Sequence, residues 1–193
     1  MVKIIHGADF HLDSPFSGLT PERAAQRRKE QRELLERVAA LAREKEADLV
    51  LLAGDLLDSE HVYRETVQAL RAALAGIPCP VFIAPGNHDF YSPRSPWAVL
   101  DWPEQVHIFT DSALERVDLP GCTLWGRAFT DAHQDTCPLA GLSVPDDGAL
   151  HIACLHGSVG EGADYGPLSP MEIAASGLDY LALGHVHQAS GLQ

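Results

Sequence analysis

The sequence lacks any long uninterrupted apolar stretch. Its 193 residues contain no run of about 18 apolar residues, the length that a membrane-spanning helix needs. The apolar stretch within residues 1–6 is too short to be the hydrophobic region of a secretory signal peptide. We therefore expect a protein that is neither embedded in a membrane nor exported, and we expect a cytoplasmic location.

Cysteine is scarce and scattered. The chain has four cysteines, and none of them forms a C-x-x-C pair of the kind used in zinc sites and redox motifs. The expectation is that they are reduced, buried thiols of a cytosolic protein. They are Cys79, Cys122, Cys137 and Cys154.

Positive charge is also scarce. Lysine and arginine total 14 against 27 aspartates and glutamates, so the formal net charge is −13. This balance argues against a nucleic-acid binder that is held by a broad basic surface. It does not exclude a nuclease, because two bound divalent ions would bring the net charge of −13 to −9 and place positive charge where a phosphate binds.

Short apolar runs alternate with helical patterns, which predicts an α/β fold. Strands are predicted at residues 2–6, 48–53, 80–84, 150–155 and 180–183, and helices at 21–46, 62–75, 95–100 and 170–176. Residues 106–129 read as strand-like pieces, and residues 130–148 read as a loop. The long first helix has Thr20 as its predicted N-cap and Pro21 at its first position. Without repeats or a linker, one domain over residues 1–193 is expected.

The predicted strands run directly into polar residues of the types that bind metal ions. The clusters are Asp9-x-His11, Gly54-Asp55-x-x-Asp58, Gly86-Asn87-His88-Asp89, His156-Gly157 and Gly184-His185-x-His187. In open α/β sheets, ligands collect at the carboxyl ends of the strands. A single such cluster is explained equally well as a turn, but five clusters in this order are hard to explain as turns. We therefore expect five strand ends to deliver these side chains to one edge.

The clusters supply oxygen and nitrogen ligands without any thiolate. The three oxygen ligands and four nitrogen ligands are Asp9, Asp55 and Asn87, and His11, His156, His185 and His187. Seven ligands are too many for one tetrahedral zinc ion but suit two adjacent five- or six-coordinate ions. Two such ions, roughly 3.5–4 Å apart, can clamp the attacking and leaving oxygens of a phosphoester. Two manganese ions are the expected cofactor, and iron or zinc is compatible with the same ligands.

Not every histidine belongs to these clusters. Five of the ten histidines lie outside them, and we assign these five structural or solvated roles. They are His6, His61, His107, His133 and His151.

As a set, the five clusters resemble the calcineurin-like metallophosphoesterase family, whose pattern is D-x-H, G-D-x-x-D, G-N-H-D/E, a lone histidine and G-H-x-H. They extend from Asp9 to His187, which is nearly the whole chain. The resemblance implies a four-layer α-β-β-α sandwich with a dinuclear metal site at the strand ends. The ligands that it implies are Asp9, His11 and His187 for the first metal, Asn87, His156 and His185 for the second, and Asp55 as the bridge.

The resemblance also implies a catalytic pair. His88 is not needed as a ligand, and the family pattern pairs it with Asp58, the second aspartate of G-D-x-x-D. His88 is therefore predicted to donate a proton or a hydrogen bond to the leaving oxygen, with Asp58 holding its ring. Protein phosphatases of this family usually continue as G-D-x-x-D-R-G, but here Ser59 and Glu60 follow Asp58. The absence of that arginine favours the nuclease branch.

Two segments narrow the resemblance further. Residues 6–16, HGADFHLDSPF, and residues 179–187, DYLALGHVH, resemble the YhaO- and SbcD-like group of DNA-repair exonucleases. This resemblance implies a metal-dependent nuclease that acts on single-stranded DNA or DNA ends with an SbcC- or YhaN-like ATPase partner. SbcD-like chains continue past G-H-x-H into a DNA-facing domain, so this chain, which stops at Gln193, is expected to lack a C-terminal cap domain.

Two alternatives to the nuclease stay open at this stage, and so does the role of residues 96–100. The first is a small-molecule phosphodiesterase or phosphatase, and the second is a non-catalytic metal-binding scaffold for an ATPase. The apolar run at residues 96–100 suits a homodimer contact and suits a cover for the sheet about equally well.

Overall fold

Eight strands form two four-stranded sheets in the computed structural model, which describes residues 2–160 and 165–187. The first sheet is parallel and has the order β1 (Ile4–Gly7), β2 (Leu49–Leu52), β3 (Val81–Ile83) and β4 (Val106–Ile108). The second sheet has the order β5 (Glu115–Leu119), β6 (Cys122–Gly126), β7 (Leu150–His156) and β8 (Tyr180–Gly184). Its first pair, β5 and β6, is antiparallel, and the other two pairs are parallel.

Side-chain alternation along β2 explains the layers. Val50 and Leu52 pack into one core with α1 (Pro21–Lys45) and α2 (Arg64–Ala75). Leu49 and Leu51 point the other way and pack into a second core with residues of β6, β7 and β8. A third core joins the outer face of the second sheet to α4 (Pro170–Ser176). The predicted four-layer α-β-β-α sandwich is confirmed.

The element boundaries follow from local chemistry. The Thr20 side chain accepts a hydrogen bond from the backbone N–H of Arg23, and α1 ends at Lys45, followed by the C-cap residue Glu46, whose φ of 50° is left-handed. The second helix begins at Arg64, two residues later than predicted. The reason is that Tyr63 stays extended and its N–H donates to the Asp13 carboxylate at 2.8 Å. The short helix α3 (Pro96–Val99) and the loop at residues 130–148 lie where they were predicted.

Two glycines let the sheets meet closely at the rim where the strands end. A Cβ atom added at Gly184 would overlap the carbonyl oxygen of Ala53 and lie 2.7 Å from the Cβ of Ala8. Gly54 has a φ of 87°, and a Cβ atom there would overlap the ring of His156. The carboxyl ends of β1, β2 and β8 are therefore in direct contact, which brings the polar clusters of both sheets together.

The cysteines agree with the sequence-based expectation. All four are free thiols, and Cys79, Cys122 and Cys154 are buried while Cys137 is half-buried. Complete burial raises the pKa of the Cys154 thiol to about 12, which makes it unreactive at neutral pH. Across residues 2–160 and 165–187, none of the helices combines the length and the apolar character needed to cross a membrane.

Replacing Gly184 with alanine is expected to lower the free energy of unfolding by roughly 1–3 kcal/mol, because the added methyl group would push the two sheets apart. Urea unfolding followed by circular dichroism measures the loss. Gly18→Ala is the matched control, since a Cβ atom there has nothing within 4 Å. Equal stability of the two variants would contradict the close contact at the rim.

Candidate metal centre

The ends of five strands carry all of the candidate site residues to one rim. Asp9 and His11 follow β1, Asp55 and Asp58 follow β2, Asn87 and His88 follow β3, His156 ends β7, and His185 and His187 follow β8. This is the arrangement that the sequence predicted, and the contacts below show which of these side chains meet.

The first group joins the loops after β1 and β8. Asp9, His11 and His187 each offer one ligand atom, and these atoms all lie within 4.8 Å of one another. The Nε2 atoms of His11 and His187 are 3.0 Å apart. The Asp9 carboxylate also accepts the backbone N–H of His185, at 2.9 and 3.0 Å from its two oxygens. Asp9 therefore fixes the loop after β8 as well as offering an oxygen.

The second group joins the strands β2, β3, β7 and β8. One ligand atom each from Asp55, His156 and His185 lies within 4.8 Å of the others. The Oδ1 atom of Asn87 is 3.0 Å from Nε2 of His156 and 3.1 Å from Nδ1 of His185. The two ring nitrogens are 3.2 Å apart. An oxygen and two nitrogens thus converge on one point, beside a buried carboxylate.

Asp55 lies between the two groups. Its Oδ2 atom is 3.3 Å from Nε2 of His156 in the second group and 3.8 Å from Nε2 of His11 in the first. Its Oδ1 atom accepts the backbone N–H of His88 at 2.9 Å, which leaves Oδ2 to face the histidines. The side chain is almost completely buried. Its position fits the bridging role that the family resemblance implies.

Backbone strain concentrates at the same place. Seven non-glycine residues have positive φ among those that the structure describes, and four of the seven are candidate ligands. These four are Asp9 at 56°, His11 at 44°, Asp55 at 52° and His185 at 109°. Such conformations cost on the order of 1–3 kcal/mol each and persist where the surroundings enforce them, as they do at functional sites.

The pKa values in the second group depend on burial and on the pairing of Asp55 with His156. Burial opposes a charge on His156, but the hydrogen bond and the charge of Asp55 outweigh it and raise the pKa of His156. Burial likewise opposes ionisation of Asp55, yet His156 lowers the pKa of Asp55 overall. Burial, followed by the charge of His156, lowers the pKa of His185 and favours its neutral form. Metal ions are ligated by ionised carboxylates and neutral imidazoles, the forms that the lowered pKa values of Asp55 and His185 favour, and an ion binding here would release the proton that Asp55 favours on His156.

The Asp58 carboxylate makes its hydrogen bonds to residues other than His88, although one ligand atom each of His11, Asp58 and His88 lies within 4.8 Å of the others. The carboxylate bonds Nδ1 of His11 at 3.1 Å and accepts the hydroxyl of Ser14 at 2.9 Å. His88 instead donates from Nδ1 to the backbone carbonyl of Asp58 at 3.2 Å. Asp58 therefore orients a candidate metal ligand, as carboxylates beside metal-bound histidines commonly do.

Sequence reasoning gave no role to Asp89, which is almost completely buried. Its Oδ1 atom accepts the backbone N–H groups of Gly86 at 2.7 Å and Asp55 at 3.2 Å. Its Oδ2 atom accepts those of Leu56 at 2.9 Å and Leu57 at 3.1 Å. Burial, followed by the charge of Asp55, raises the pKa of Asp89 to about 6. The acidic position of G-N-H-D was the signal that could have identified it.

Gln31, in the middle of α1, was also missed. Its side-chain amide donates to the backbone carbonyls of Phe10 at 3.2 Å and His11 at 3.0 Å. The first helix thereby holds the loop that carries Asp9 and His11. Only the fold reveals this contact, because 20 residues of chain separate Gln31 from His11.

Comparisons with known proteins agree with this geometry. The model of the calcineurin-like phosphoesterase family matches residues 2–189. The chain is 34% identical over 212 aligned residues to a Bacillus subtilis (strain 168) protein named uncharacterized metallophosphoesterase YhaO. That alignment covers 95% of this chain and 48% of the relative, so the chain spans about half of the relative's length.

Replacing Asp55 with asparagine is expected to lower metal occupancy in both groups, because the charge that faces both is lost. The measurement is elemental analysis of protein saturated with manganese, in which the unaltered chain should hold about two ions. His187→Ala is the matched control and should reduce occupancy in the first group alone. At most one ion per unaltered chain, or full occupancy in Asp55→Asn, would contradict the shared role of Asp55.

Proposed function

The chain belongs to the calcineurin-like phosphoesterase family, a family of hydrolases that act on phosphoric esters, and from that premise we propose that it cleaves phosphodiester bonds in DNA. The observation that carries the proposal is the convergence of oxygen and nitrogen ligands from both sheets on the Asp55 carboxylate. The substrate would be single-stranded DNA or a DNA end, cut as an exonuclease or an endonuclease.

The ligands divide between two divalent ions, for which we propose manganese, with iron or zinc compatible with the same donors. Asp9, His11 and His187 would hold one ion, Asn87, His156 and His185 the other, and Asp55 both. When bound, the ions would neutralise charge on the phosphate and lower the pKa of a bound water.

His88 is the residue that we propose as the general acid. Its side chain is exposed, and its ring meets the ring of His11 edge-on with 4.7 Å between centroids. Because Nδ1 donates to the carbonyl of Asp58, Nε2 is the nitrogen left to meet the leaving oxygen. A proton held there would be transferred to that oxygen as the ester bond breaks.

The charge around His88 favours a diester over a monoester. Glu60 lines the cavity that His88 borders, at the place where family phosphatases continue with arginine and glycine after the second aspartate. A terminal phosphate carries about two negative charges and would be repelled more strongly by this carboxylate than a diester, which carries one. This argument supports a phosphodiesterase without choosing its substrate.

The choice of DNA is supported by the resemblance of residues 6–16 and 179–187 to the YhaO- and SbcD-like nucleases. Because the net charge is −13, the chain offers a long DNA strand little electrostatic attraction. We therefore propose that an SbcC- or YhaN-like ATPase partner contributes much of the DNA-binding affinity.

Helix α3 exposes little apolar surface for the proposed homodimer contact. Trp97 is buried, and its Nε1 donates to the backbone carbonyl of Asp89 at 2.6 Å. Ala98 and Val99 are the exposed apolar residues of this helix, and Val99, which is 62% exposed, is the larger of the two. The sheet-covering interpretation therefore accounts for Trp97, and a dimer contact would rest on Val99.

The proposal is tested by comparing three substrates in the presence of manganese: a single-stranded oligonucleotide, bis(p-nitrophenyl) phosphate and p-nitrophenyl phosphate. We expect hydrolysis of the oligonucleotide and the diester, and slower hydrolysis of the monoester. Hydrolysis of small esters without DNA cleavage would favour the small-molecule alternative. Two bound ions without hydrolysis of any substrate would favour the scaffold.

Replacing His88 with alanine is expected to lower kcat on the oligonucleotide by on the order of 10²–10⁴-fold, the usual contribution of a general acid. Metal content should stay at the unaltered level, because His88 offers no ligand to either proposed ion. Single-turnover cleavage and elemental analysis on the same preparation measure both quantities. Near-normal turnover with both ions bound would show that the general-acid assignment is wrong.

A further inference from the structure

A cavity of about 430 Å³ opens beside the candidate metal centre. Asn87 and His88 lie on its metal side, and His133 and Tyr165 line it as well. The rest of the lining combines the apolar residues Phe90, Pro96 and Ala132 with polar ones, among them Asp58 and Glu60. A concave site of this size beside a candidate reaction centre is typical of a place where part of a substrate binds.

Three aromatic rings line up from the metal centre into this cavity. The rings of Tyr165 and the candidate ligand His185 lie 5.1 Å apart between centroids. Tyr165 in turn stacks on His133, with 5.2 Å between centroids and planes 28° apart. The sequence gave His133 a structural or solvated role, but the structure places its exposed ring on the cavity wall.

Buried contacts hold this wall in place. The backbone N–H of Gly166, next to Tyr165, donates to the carbonyl of Gln134, next to His133, at 2.6 Å. Arg127 is buried, and its guanidinium donates to the Gln134 side chain at 3.5 Å and to the carbonyls of Thr136 at 3.3 Å and Ser112 at 3.2 Å. The segment that carries His133 is thus held to the end of β6 by Arg127 and to the neighbour of Tyr165 by the Gly166 hydrogen bond. A wall fixed in advance loses little entropy when a ligand stacks on it.

We infer that His133, stacked on Tyr165, forms with it a stacking subsite that offers the exposed face of His133 to an unpaired nucleobase adjoining the phosphodiester that the chain cleaves; this inference rests on the proposed function. Flat aromatic faces accept any base, because every base has a π-face, and so they bind single strands with little sequence preference. A base inside a duplex is already stacked and must be extruded before it can reach such a wall. The wall therefore selects unpaired, base-bearing diesters.

The test compares two single-stranded oligonucleotides, one with natural bases and one with tetrahydrofuran abasic residues along the same backbone. For the unaltered chain, kcat/KM should favour the base-bearing strand by on the order of tenfold or more. Tyr165→Leu should remove most of that preference, and Tyr165→Phe should keep it because the ring remains. Tyr63→Leu is the matched control, since Tyr63 is exposed and is not among the residues that line this cavity.

His133→Ala provides a second variant at an exposed position, and it should lower the preference by a smaller factor than Tyr165→Leu. Metal content and thermal unfolding, measured on each variant, separate loss of stacking from damage near His185. Equal cleavage of the two strands by the unaltered chain, or an unchanged preference in both Tyr165→Leu and His133→Ala, would overturn the inference. Cleavage of the abasic strand supports the nuclease proposal whatever happens to the preference. If neither strand is cleaved, the nuclease proposal fails and the stacking subsite falls with it.

Discussion

A single buried carboxylate, that of Asp89, holds together two of the loops that carry candidate metal ligands, those after β2 and β3. It accepts four backbone N–H groups, three from the loop after β2 and one from the loop after β3. Each of those N–H groups, left buried without a partner, would cost about 1–3 kcal/mol. The positions of Asp55 and Asn87 therefore depend on Asp89.

The arrangement also buries the carboxylates of Asp55 and Asp89 side by side, which is unfavourable unless cations offset their charges. His156 supplies part of that positive charge, and the proposed ions would supply more.

The strained backbone of the ligand loops is tolerated because the sheets beneath them are rigid. The core between the sheets is fully buried at β2, β6 and β7, and the glycines at the rim leave no gap between the layers. A close-packed interior resists small displacements, so the side chains at its edge are held in fixed positions. Asp58 and Gln31 then hold His11 from two directions. The fold thereby holds the candidate ligands close to one another.

Much of the fold and of the ligand set could be predicted from the sequence, because both depend on local patterns. Buried β2 is an apolar run, and Thr20-Pro21 marks the start of α1 by capping chemistry. The polar clusters could be placed at one rim because parallel strands end on the same side. The partners of Asp58 could not be predicted, since they lie in the loops after β1 and β3, which only the fold brings to it. The exposed ring of His133 agrees with the structural or solvated role assigned to it, but its stacking on Tyr165 could not be predicted, because it depends on the path of the loop at residues 130–148.

The central claim is that two divalent ions share the Asp55 carboxylate. Anomalous diffraction from crystals grown with manganese tests it most directly. The account predicts two anomalous peaks roughly 3.5–4 Å apart, with Oδ2 of Asp55 within coordinating distance of both. One peak would have Asp9, His11 and His187 around it, and the other Asn87, His156 and His185. A single peak, or two peaks of which Asp55 reaches only one, would contradict the account.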